Sequence, residues 1–158
     1  KDLITGLPNR TLFLKTASNM LAQAMRNKTK LALLYMDLDK FKPINDTLGH
    51  DIGDVVLSIV GQRLNSLLRS SDAVVRFGGD EFGVFVGISN KNDATLIAEK
   101  IINLLSNEME IKGNKITIGC SIGGAFFPDD GLDIGKLMEE ADKKMYIAKK
   151  NKLGILLK

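Results

Sequence analysis

Residues 73–86 read AVVRFGGDEFGVFV and give the clearest structural signal in the chain. Two short apolar runs, 73–77 and 82–86, flank the four residues Gly-Gly-Asp-Glu. Runs of this composition on either side of a glycine-containing turn are typical of a β-hairpin. The sequence therefore predicts two antiparallel strands whose turn carries the carboxylates of Asp80 and Glu81 at its tip.

Outward from this hairpin, the spacing of apolar residues alternates between that of helices and that of strands. Helical periodicity predicts amphipathic helices over residues 9–28, 54–68, 92–109 and 134–148. Apolar runs predict further strands at residues 31–36, 109–112, 115–126 and 155–157, with a turn at Gly113-Asn114 and a polar loop over 39–54. We therefore expect an α+β fold, an α/β sandwich in which helices flank a central mixed five-stranded sheet. Its helical crossovers should favour parallel neighbours.

Composition limits the kinds of partner that this chain can have. Its 158 residues fit one domain, 1–158, and a net charge of +3 is too small to argue for a nucleic-acid partner. No signal peptide is apparent, and no apolar run is long enough to span a bilayer. Cys120, the only cysteine, lies in an apolar run and is interpreted as a buried structural thiol. We expect a cytoplasmic domain with no nucleic-acid or membrane contact.

Two acidic segments indicate a metal site. Asp37-Leu38-Asp39 ends a strand that we predict to be buried on both faces, and Asp80-Glu81 lies at the hairpin tip. If the two strands are neighbours, Asp37 and Asp80 converge. Clustered carboxylates are ligands for Mg²⁺ in metal-assisted phosphoryl transfer. The alternative is an ordinary glycine-rich hairpin with solubilising acids at its tip.

The turn glycines suit either interpretation. Gly78 and Gly79 permit positive φ in a tight turn, and they leave space for a bulky ligand to approach the backbone.

The polar stretch that follows the first acidic segment has the residue types of a nucleotide site. Backbone amides and Lys42 could hold phosphates. Asn45 and Asp54 suit a purine edge, since a carboxylate accepts from the paired N–H and amine that guanine offers and adenine lacks. A polar surface loop with a helix N-cap at Asp54 remains the alternative. His50, the sole histidine, is by itself more often structural than catalytic.

Several motifs in register resemble the GGDEF family of diguanylate cyclases over nearly the whole chain. The first is Asp2-Leu3-Ile4-Thr5-Gly6-Leu7-Pro8-Asn9-Arg10, similar to that family's N-terminal signature. The others are Asp37-Leu38-Asp39-Lys40-Phe41-Lys42, Asn45-Asp46-Thr47-Leu48-Gly49-His50, Gly53-Asp54, Arg76-Phe77-Gly78-Gly79-Asp80-Glu81-Phe82, Ala141-Asp142 and Tyr146-Ile147-Ala148-Lys149. One such motif would be weak, but together they are specific.

The resemblance implies a fold like that of polymerase palms and nucleotide cyclase catalytic domains. It also implies condensation of two GTP into cyclic di-GMP with release of pyrophosphate. Two Mg²⁺ or Mn²⁺ ions per GTP site are expected. Asp37, the Leu38 carbonyl and Asp80 would bind metal, and Glu81 would support the second ion. Asp80 would also deprotonate the 3′-hydroxyl, with GTP held on each half of a face-to-face homodimer.

Further residue roles are implied by the same resemblance. Those implied for the triphosphate and the turn beside it are Phe41, Lys42, Lys149, Gly78 and Gly79. Those implied for guanine are Asn45 and Asp54, with His50 close by. The catalytic set is Asp80, Glu81 and Lys42.

The residues just before the hairpin resemble an inhibitory product site. Arg69-Ser70-Ser71-Asp72 matches that family's RxxD motif, where cyclic di-GMP would bind as a feedback inhibitor, and Arg76 is expected to contribute. Taken alone, an RxxD pair is usually a surface ion pair. Its placement ahead of the turn favours the functional interpretation.

Some features depart from the family or leave alternatives open. Lys152 and Leu153 stand where the family often has Gly-Arg, so one phosphate-contacting arginine is absent. A non-catalytic module that binds GTP or cyclic di-GMP is one alternative. A mixed-nucleotide cyclase is another, although Asp54 argues against it. We expect the domain to come from a larger signalling protein with a covalently linked sensor, and an attached EAL phosphodiesterase domain is plausible.

Overall fold

The computed structural model describes all 158 residues. The helices are α1 (Arg10–Asn27), α2 (Phe41–Leu48), α3 (His50–Leu67), α4 (Lys91–Leu105) and α5 (Ile134–Lys150). The strands are β1 (Lys30–Asp39), β2 (Ala73–Gly78), β3 (Glu81–Ile88), β4 (Met109–Ile111), β5 (Asn114–Ile116), β6 (Gly119–Phe127) and β7 (Ile155–Leu156). None of the helices is long and apolar enough to cross a membrane.

Five strands form the main sheet in the order β2-β3-β1-β6-β7, and β4 and β5 form a separate hairpin. The expected α+β fold with a mixed five-stranded sheet is therefore confirmed. β1 is antiparallel to both of its neighbours, and only β6 and β7 are parallel. The crossovers through α2–α3 and through α4 connect strands of the same direction that are separated by one other strand, as in a β-α-β-β-α-β unit. The crossover through α5 instead connects the parallel neighbours β6 and β7. The expectation that helical crossovers favour parallel neighbours is therefore confirmed for the β6–α5–β7 connection and wrong for the other two.

The central strand β1 is buried on both faces, as its continuous apolar run predicts. Leu34 and Met36 belong to the larger core cluster, which also takes in residues of α3 and α4. Leu33 and Tyr35 belong to the second cluster, with residues of α1 and α5. Because side chains alternate along a strand, Asp37 continues the α1–α5 face beyond the point where the apolar core ends.

The polar stretch predicted as a loop is mostly helical. Phe41, Ile44 and Leu48 face the core at helical spacing, and this apolar stripe stabilises α2 despite its polar composition. Pro43 falls in the first turn, where a missing N–H breaks no intrahelical bond. Gly49, with φ of 96°, separates α2 from α3, which therefore begins four residues before the predicted start.

Two smaller expectations also differ from the structure. The β4–β5 turn consists of Lys112 and Gly113, both with positive φ, so Asn114 is already paired with Ile111. On α4, Leu96 is 49% exposed, although the apolar periodicity of residues 92–109 predicts that it faces inward. The buried face of α4 consists of Ala94, Ala98, Ile101 and Leu105 instead.

Candidate active site

The two acidic segments lie side by side at one end of the sheet. Asp37 is the cross-strand partner of Glu81, the first residue of β3. The backbone N–H of Leu38 donates to the carbonyl oxygen of Asp80 at 3.1 Å, which ties the turn to the end of the central strand. β1 and β3 are thus neighbours, and the acidic residues converge as this arrangement requires.

The turn itself has the conformation for which its glycines are suited. Gly78 has φ of 147° and Gly79 has φ of 49°, and a β-bulge lies between Arg76 and Gly78. A Cβ atom added at either glycine would meet no heavy atom within 4 Å. The space beside the turn is therefore open to a ligand.

The Asp37 carboxylate is half-buried beside a second carboxylate, and Lys149 offers it a single positive charge. Its Oδ1 atom is buried without a hydrogen-bond partner, while Oδ2 lies 3.2 Å from the Nζ of Lys149. Burial, together with the hydrogen bond to Asp80 and the charge of Asp80, raises the pKa of Asp37 to about 7 despite the opposing effect of Lys149. An added cation would relieve both the unpaired oxygen and the repulsion between the two carboxylates.

The Lys149 ammonium group lies where such a cation would be needed. Its Nζ is also 3.3 Å from the carbonyl oxygen of Leu38, so it bridges the oxygens of Asp37 and Leu38. No group of three carboxylate, imidazole or thiol side chains lies close enough to hold a metal alone. Mg²⁺ often takes only one or two carboxylates, with water and substrate phosphates completing its shell. These oxygens fit a divalent cation that shares its coordination with a nucleotide.

The raised pKa of Asp37 predicts how stability depends on pH when metal is removed. Since the folded state binds a proton more tightly than the unfolded state, the free energy of unfolding in EDTA should fall as pH rises from about 4 to about 7. Chemical denaturation at a series of pH values measures this slope. Asp37→Asn should flatten it, and an unchanged slope in that variant would contradict the prediction.

The first turn of α2 is open toward solvent. Its N-cap residue, Lys40, has φ of 60° and makes no capping hydrogen bond with its side chain. The Phe41 side chain is buried in the core, so this residue could meet a phosphate only through its backbone N–H. Lys42 is exposed beside it. An uncapped helix N-terminus with an adjacent lysine is a favourable place for an anion.

The residues predicted to contact guanine lie at the start of α3 and on the facing side of α2. Asn45 packs directly on Gly53, where a Cβ atom would overlap the Asn45 side-chain oxygen. Asp54, the next residue of α3, is exposed, and so is His50 at the first turn. Gly53 therefore permits Asn45 to lie against the helix that carries Asp54.

The predicted inhibitory pair, Arg69 and Asp72, lies at the end of the hairpin away from the turn. Arg69 is 3.3 Å from Asp72 and also donates to the carbonyl oxygen of Gly87 at 3.0 Å. The pair lines a cavity of about 630 Å³ to which Lys30 and Lys100 also contribute. Two further cations thus line the cavity that contains Arg69.

Arg76, which is also predicted to contribute to the inhibitory site, contacts the turn and the N-terminal segment rather than Arg69 and Asp72. Its guanidinium donates to the carbonyl oxygen of Gly79 at 2.8 and 3.1 Å, and it forms a mostly buried ion pair with Asp2 at 2.8 Å. Burial alone would raise the pKa of Asp2, but hydrogen bonds from Thr5 and the charge of Arg76 lower it. Arg76 therefore connects the turn to the N-terminal segment.

Lys152 and Leu153 are exposed in the turn that follows α5. Lys152 has φ of 54°, and the N–H of Leu153 donates to the carbonyl oxygen of Ala148 at 2.8 Å, which closes the helix. Lys152 is the only cation at these two positions and lacks the planar fork of an arginine.

Two contacts near the site were not predicted from the sequence. The Tyr35 hydroxyl donates to Oε1 of Glu81 at 3.0 Å, and the buried Ser121 hydroxyl donates to Oδ1 of Asp39 at 2.7 Å. Burial, then the hydrogen bond to Glu81 and its charge, raise the pKa of Tyr35 above its ordinary value. Tyr35 lies two residues before Asp37 on the same face of β1, and this spacing was an available signal. This signal was missed because Tyr35 lies in an apolar run that was interpreted only as a buried strand.

Comparison with known proteins identifies the family. The profile described as "Diguanylate cyclase, GGDEF domain" matches residues 1–154. The chain belongs to the GGDEF domain family of diguanylate cyclases.

Two curated relatives come from Pseudomonas aeruginosa. The bifunctional diguanylate cyclase/cyclic di-GMP phosphodiesterase MucR is 39% identical over 148 residues, which cover 94% of this chain and 22% of MucR. The cyclic di-GMP phosphodiesterase NbdA is 35% identical, with 94% of this chain and 19% of NbdA covered. The chain thus spans about a fifth of the length of these relatives.

Solved structures agree with the fold throughout the chain. The GGDEF domain of YfiN (TpbB) from Pseudomonas aeruginosa superposes with a TM-score of 0.93 at 37% identity, and 96% of each chain is covered. The GGDEF domain of DgcB from Caulobacter crescentus, solved in complex with c-di-GMP, gives a TM-score of 0.90 at 26% identity. That match covers 99% of this chain and 92% of the other.

Proposed function

We propose that residues 1–158 form a single catalytic domain of a larger signalling protein and condense two GTP into cyclic di-GMP and two pyrophosphates. The observation that carries this proposal is the convergence of Asp37 with the Asp80–Glu81 turn, which leaves one buried carboxylate oxygen unpaired. Because its proposed substrate is GTP, we propose that the domain lies in the cytoplasm, or on the cytoplasmic face of the membrane if the parent protein is membrane-anchored.

GTP binding is proposed for the open surface between α2 and the turn. Asn45 and Asp54 would hydrogen-bond the guanine edge, with His50 nearby at the start of α3. The uncapped first turn of α2 and Lys42 would hold the triphosphate. Gly78 and Gly79 leave room beside it because neither has a side chain to fill that space.

Metal binding is proposed for the oxygens now contacted by Lys149. Asp37, the Leu38 carbonyl and Asp80 would hold one Mg²⁺ or Mn²⁺, and Glu81 would support a second. The ions, when bound, offset the charge that develops on the phosphoryl oxygens and lower the pKa of the attacking hydroxyl. Lys149 would then be released toward the phosphates of the nucleotide.

The reaction requires two copies of the domain. Each copy holds one GTP, and the 3′-oxygen of one nucleotide attacks the α-phosphorus of the other. Asp80 accepts the hydroxyl proton, a P–O bond to the 3′-oxygen forms, and the bond to pyrophosphate breaks. Lys42 offsets charge on the leaving group. Holding both nucleotides face to face supplies much of the rate, since it removes the entropic cost of bringing them together.

The direct test uses the full chain fused to a dimerising coiled coil and incubated with GTP and Mg²⁺. We expect cyclic di-GMP and pyrophosphate in a 1:2 ratio, identified by mass spectrometry. An equimolar mixture of GTP and ATP should give no mixed dinucleotide, because Asp54 offers an acceptor to the guanine N–H and amine. No product from the dimerised chain would contradict the proposal.

A second candidate is a regulatory module that binds GTP or cyclic di-GMP without turnover. The relative named only as a cyclic di-GMP phosphodiesterase favours it, because that protein carries a matching segment. Calorimetry distinguishes the two functions. Tight nucleotide binding by the dimerised chain with no product formed would support this second candidate.

Feedback inhibition by cyclic di-GMP is proposed for the cavity that contains Arg69 and Asp72. Arg69→Ala should weaken cyclic di-GMP binding at least about tenfold, because a charge-assisted guanidinium contact is lost. Calorimetry with the nucleotide measures this affinity. Arg26→Ala, which removes an exposed arginine on α1, serves as the matched control and should bind as the unsubstituted chain does. Equal affinity in both variants would contradict the assignment.

A further inference from the structure

The Glu81 carboxylate is held by a phenol that reaches it from the central strand. Tyr35 is only 4% exposed, yet its hydroxyl lies 3.0 Å from Oε1 of Glu81. Tyr35 pairs with Gly83 across the β1–β3 ladder, and Asp37 pairs with Glu81, so the Tyr35–Glu81 contact is a diagonal one on a single face. The hydrogen bond engages one oxygen of Glu81 and leaves Oε2 for another partner.

The tyrosine ring is itself fixed by an aromatic stack. It lies parallel to the ring of Phe77, with centroids 4.6 Å apart and an interplanar angle of 9°. Phe77 meets Phe13 of α1 edge to face at 5.8 Å, and the guanidinium of Arg10 lies 5.2 Å from the Phe77 centroid. These contacts connect the first helix, β2 and β1 to the Tyr35 hydroxyl.

Gly83 makes room for this stack. A Cβ atom at Gly83 would lie 2.7 Å from the Phe77 ring, closer than real Cβ contacts allow. Gly123, the partner of Tyr35 on β6, is likewise covered, because a Cβ atom there would overlap the backbone of α5. Tyr35 is therefore flanked by a glycine on each neighbouring strand, which lets the packed elements close around it.

We propose that Tyr35 is a positioning residue, which orients the Glu81 carboxylate so that its second oxygen faces the cation-binding side of the site. The role of that carboxylate rests on the proposed function. Tyr35 itself touches neither nucleotide nor metal and acts only through Glu81. The inference concerns the orientation of one side chain, and it is therefore tested by metal binding as well as by turnover.

The test is Tyr35→Phe, which keeps the stack and removes only the hydroxyl. Mn²⁺ binding to the full chain is measured by the loss of the free-ion EPR signal, with a non-hydrolysable GTP analogue present. We expect affinity to fall about fivefold to tenfold, the range for one hydrogen bond to a charged group. Tyr146→Phe makes the same change at an exposed position on α5 and should leave Mn²⁺ affinity unchanged.

A double-mutant cycle shows whether the effect passes through Glu81. In a Glu81→Gln background, Tyr35→Phe should cause no additional loss of Mn²⁺ affinity. If Tyr35→Phe fails to fold, Phe77→Leu, which loosens the ring but keeps the hydroxyl, should weaken Mn²⁺ binding in its place. Unchanged affinity in the folded variant, or an equal loss in the Glu81→Gln background, would overturn the proposal.

The outcomes also separate this proposal from the proposed function. An unsubstituted chain that binds Mn²⁺ but makes no cyclic di-GMP would sink the cyclase proposal alone, and the Tyr35→Phe shift would still support the positioning role. An unsubstituted chain that binds no Mn²⁺ would overturn both.

Discussion

Asp80→Asn is expected to lower the rate of cyclic di-GMP formation at least about 1,000-fold, because it removes both a metal ligand and the proposed proton acceptor. The substitution is nearly isosteric. The backbone carbonyl of Asp80, which accepts from Leu38, is retained, so the turn should keep its place beside β1. The loss should therefore appear in kcat and not in the fold.

The stability of Asp80→Asn should increase although its activity falls. Asp80 raises the pKa of Asp37 through its charge and hydrogen bond, so the two carboxylates oppose each other in the absence of metal. Replacing one of them with a neutral amide relieves that repulsion. In EDTA at pH 7 we expect a higher Tm for Asp80→Asn than for the unsubstituted chain. A variant that gains stability while losing activity marks a site built for a ligand.

The measurement combines a GTP turnover assay with thermal unfolding in EDTA. Asp129→Asn is the matched control, because it removes the same charge from an exposed residue paired with Lys91. It should change neither readout appreciably. Activity within about tenfold of the unsubstituted chain in Asp80→Asn would contradict the assigned role.

Local sequence patterns were sufficient for the individual strands and for the acidic residues at their ends. The two short apolar runs on either side of the Gly78–Gly79 turn predict the hairpin, and the continuous run before Asp37 predicts a strand buried on both faces. These signals depend on residues close together in the chain. The adjacency of β1 and β3 needed the structure, because it joins segments more than 40 residues apart.

Long-range contacts explain what sequence reasoning missed. The ion pair of Arg76 with Asp2, 74 residues away, had no signal in the sequence. Lys149 was expected at the phosphates, and its ammonium lies 3.2 Å from Oδ2 of Asp37, 112 residues away. α2 was missed because only Phe41 of its eight residues is fully buried, and tertiary packing outweighs the weak helical signal.

Gly53→Ala is the second change for which we expect a large effect. Its added methyl group would overlap the side-chain oxygen of Asn45, and the end of that flexible side chain is what must move. Alanine is a better helix former than glycine by about 1 kcal/mol, so α3 should not be weakened. The predicted result is loss of GTP affinity without loss of stability.

The size of the effect follows from the contacts that Asn45 would make. Displacing the amide removes about two hydrogen bonds to the base, which corresponds to an increase of about tenfold to thirtyfold in the KM for GTP. The kcat at saturating GTP should change little, because the base is remote from the reacting atoms and its binding is uniform. Gly61→Ala makes the same substitution two turns later in α3, against Thr5 and Leu7, and should leave KM unchanged.

A double-mutant cycle that combines Gly53→Ala with Asn45→Ala tests whether displacement of Asn45 causes the rise in KM. Asn45→Ala alone should raise KM as much as Gly53→Ala does, since both remove the same amide from the base. The double variant should then be no worse than either single variant, because the added methyl group has no side chain left to displace. Additive losses would show that Gly53→Ala acts through the backbone of α3. An unchanged KM in Asn45→Ala would show that Asn45 does not contribute to guanine binding.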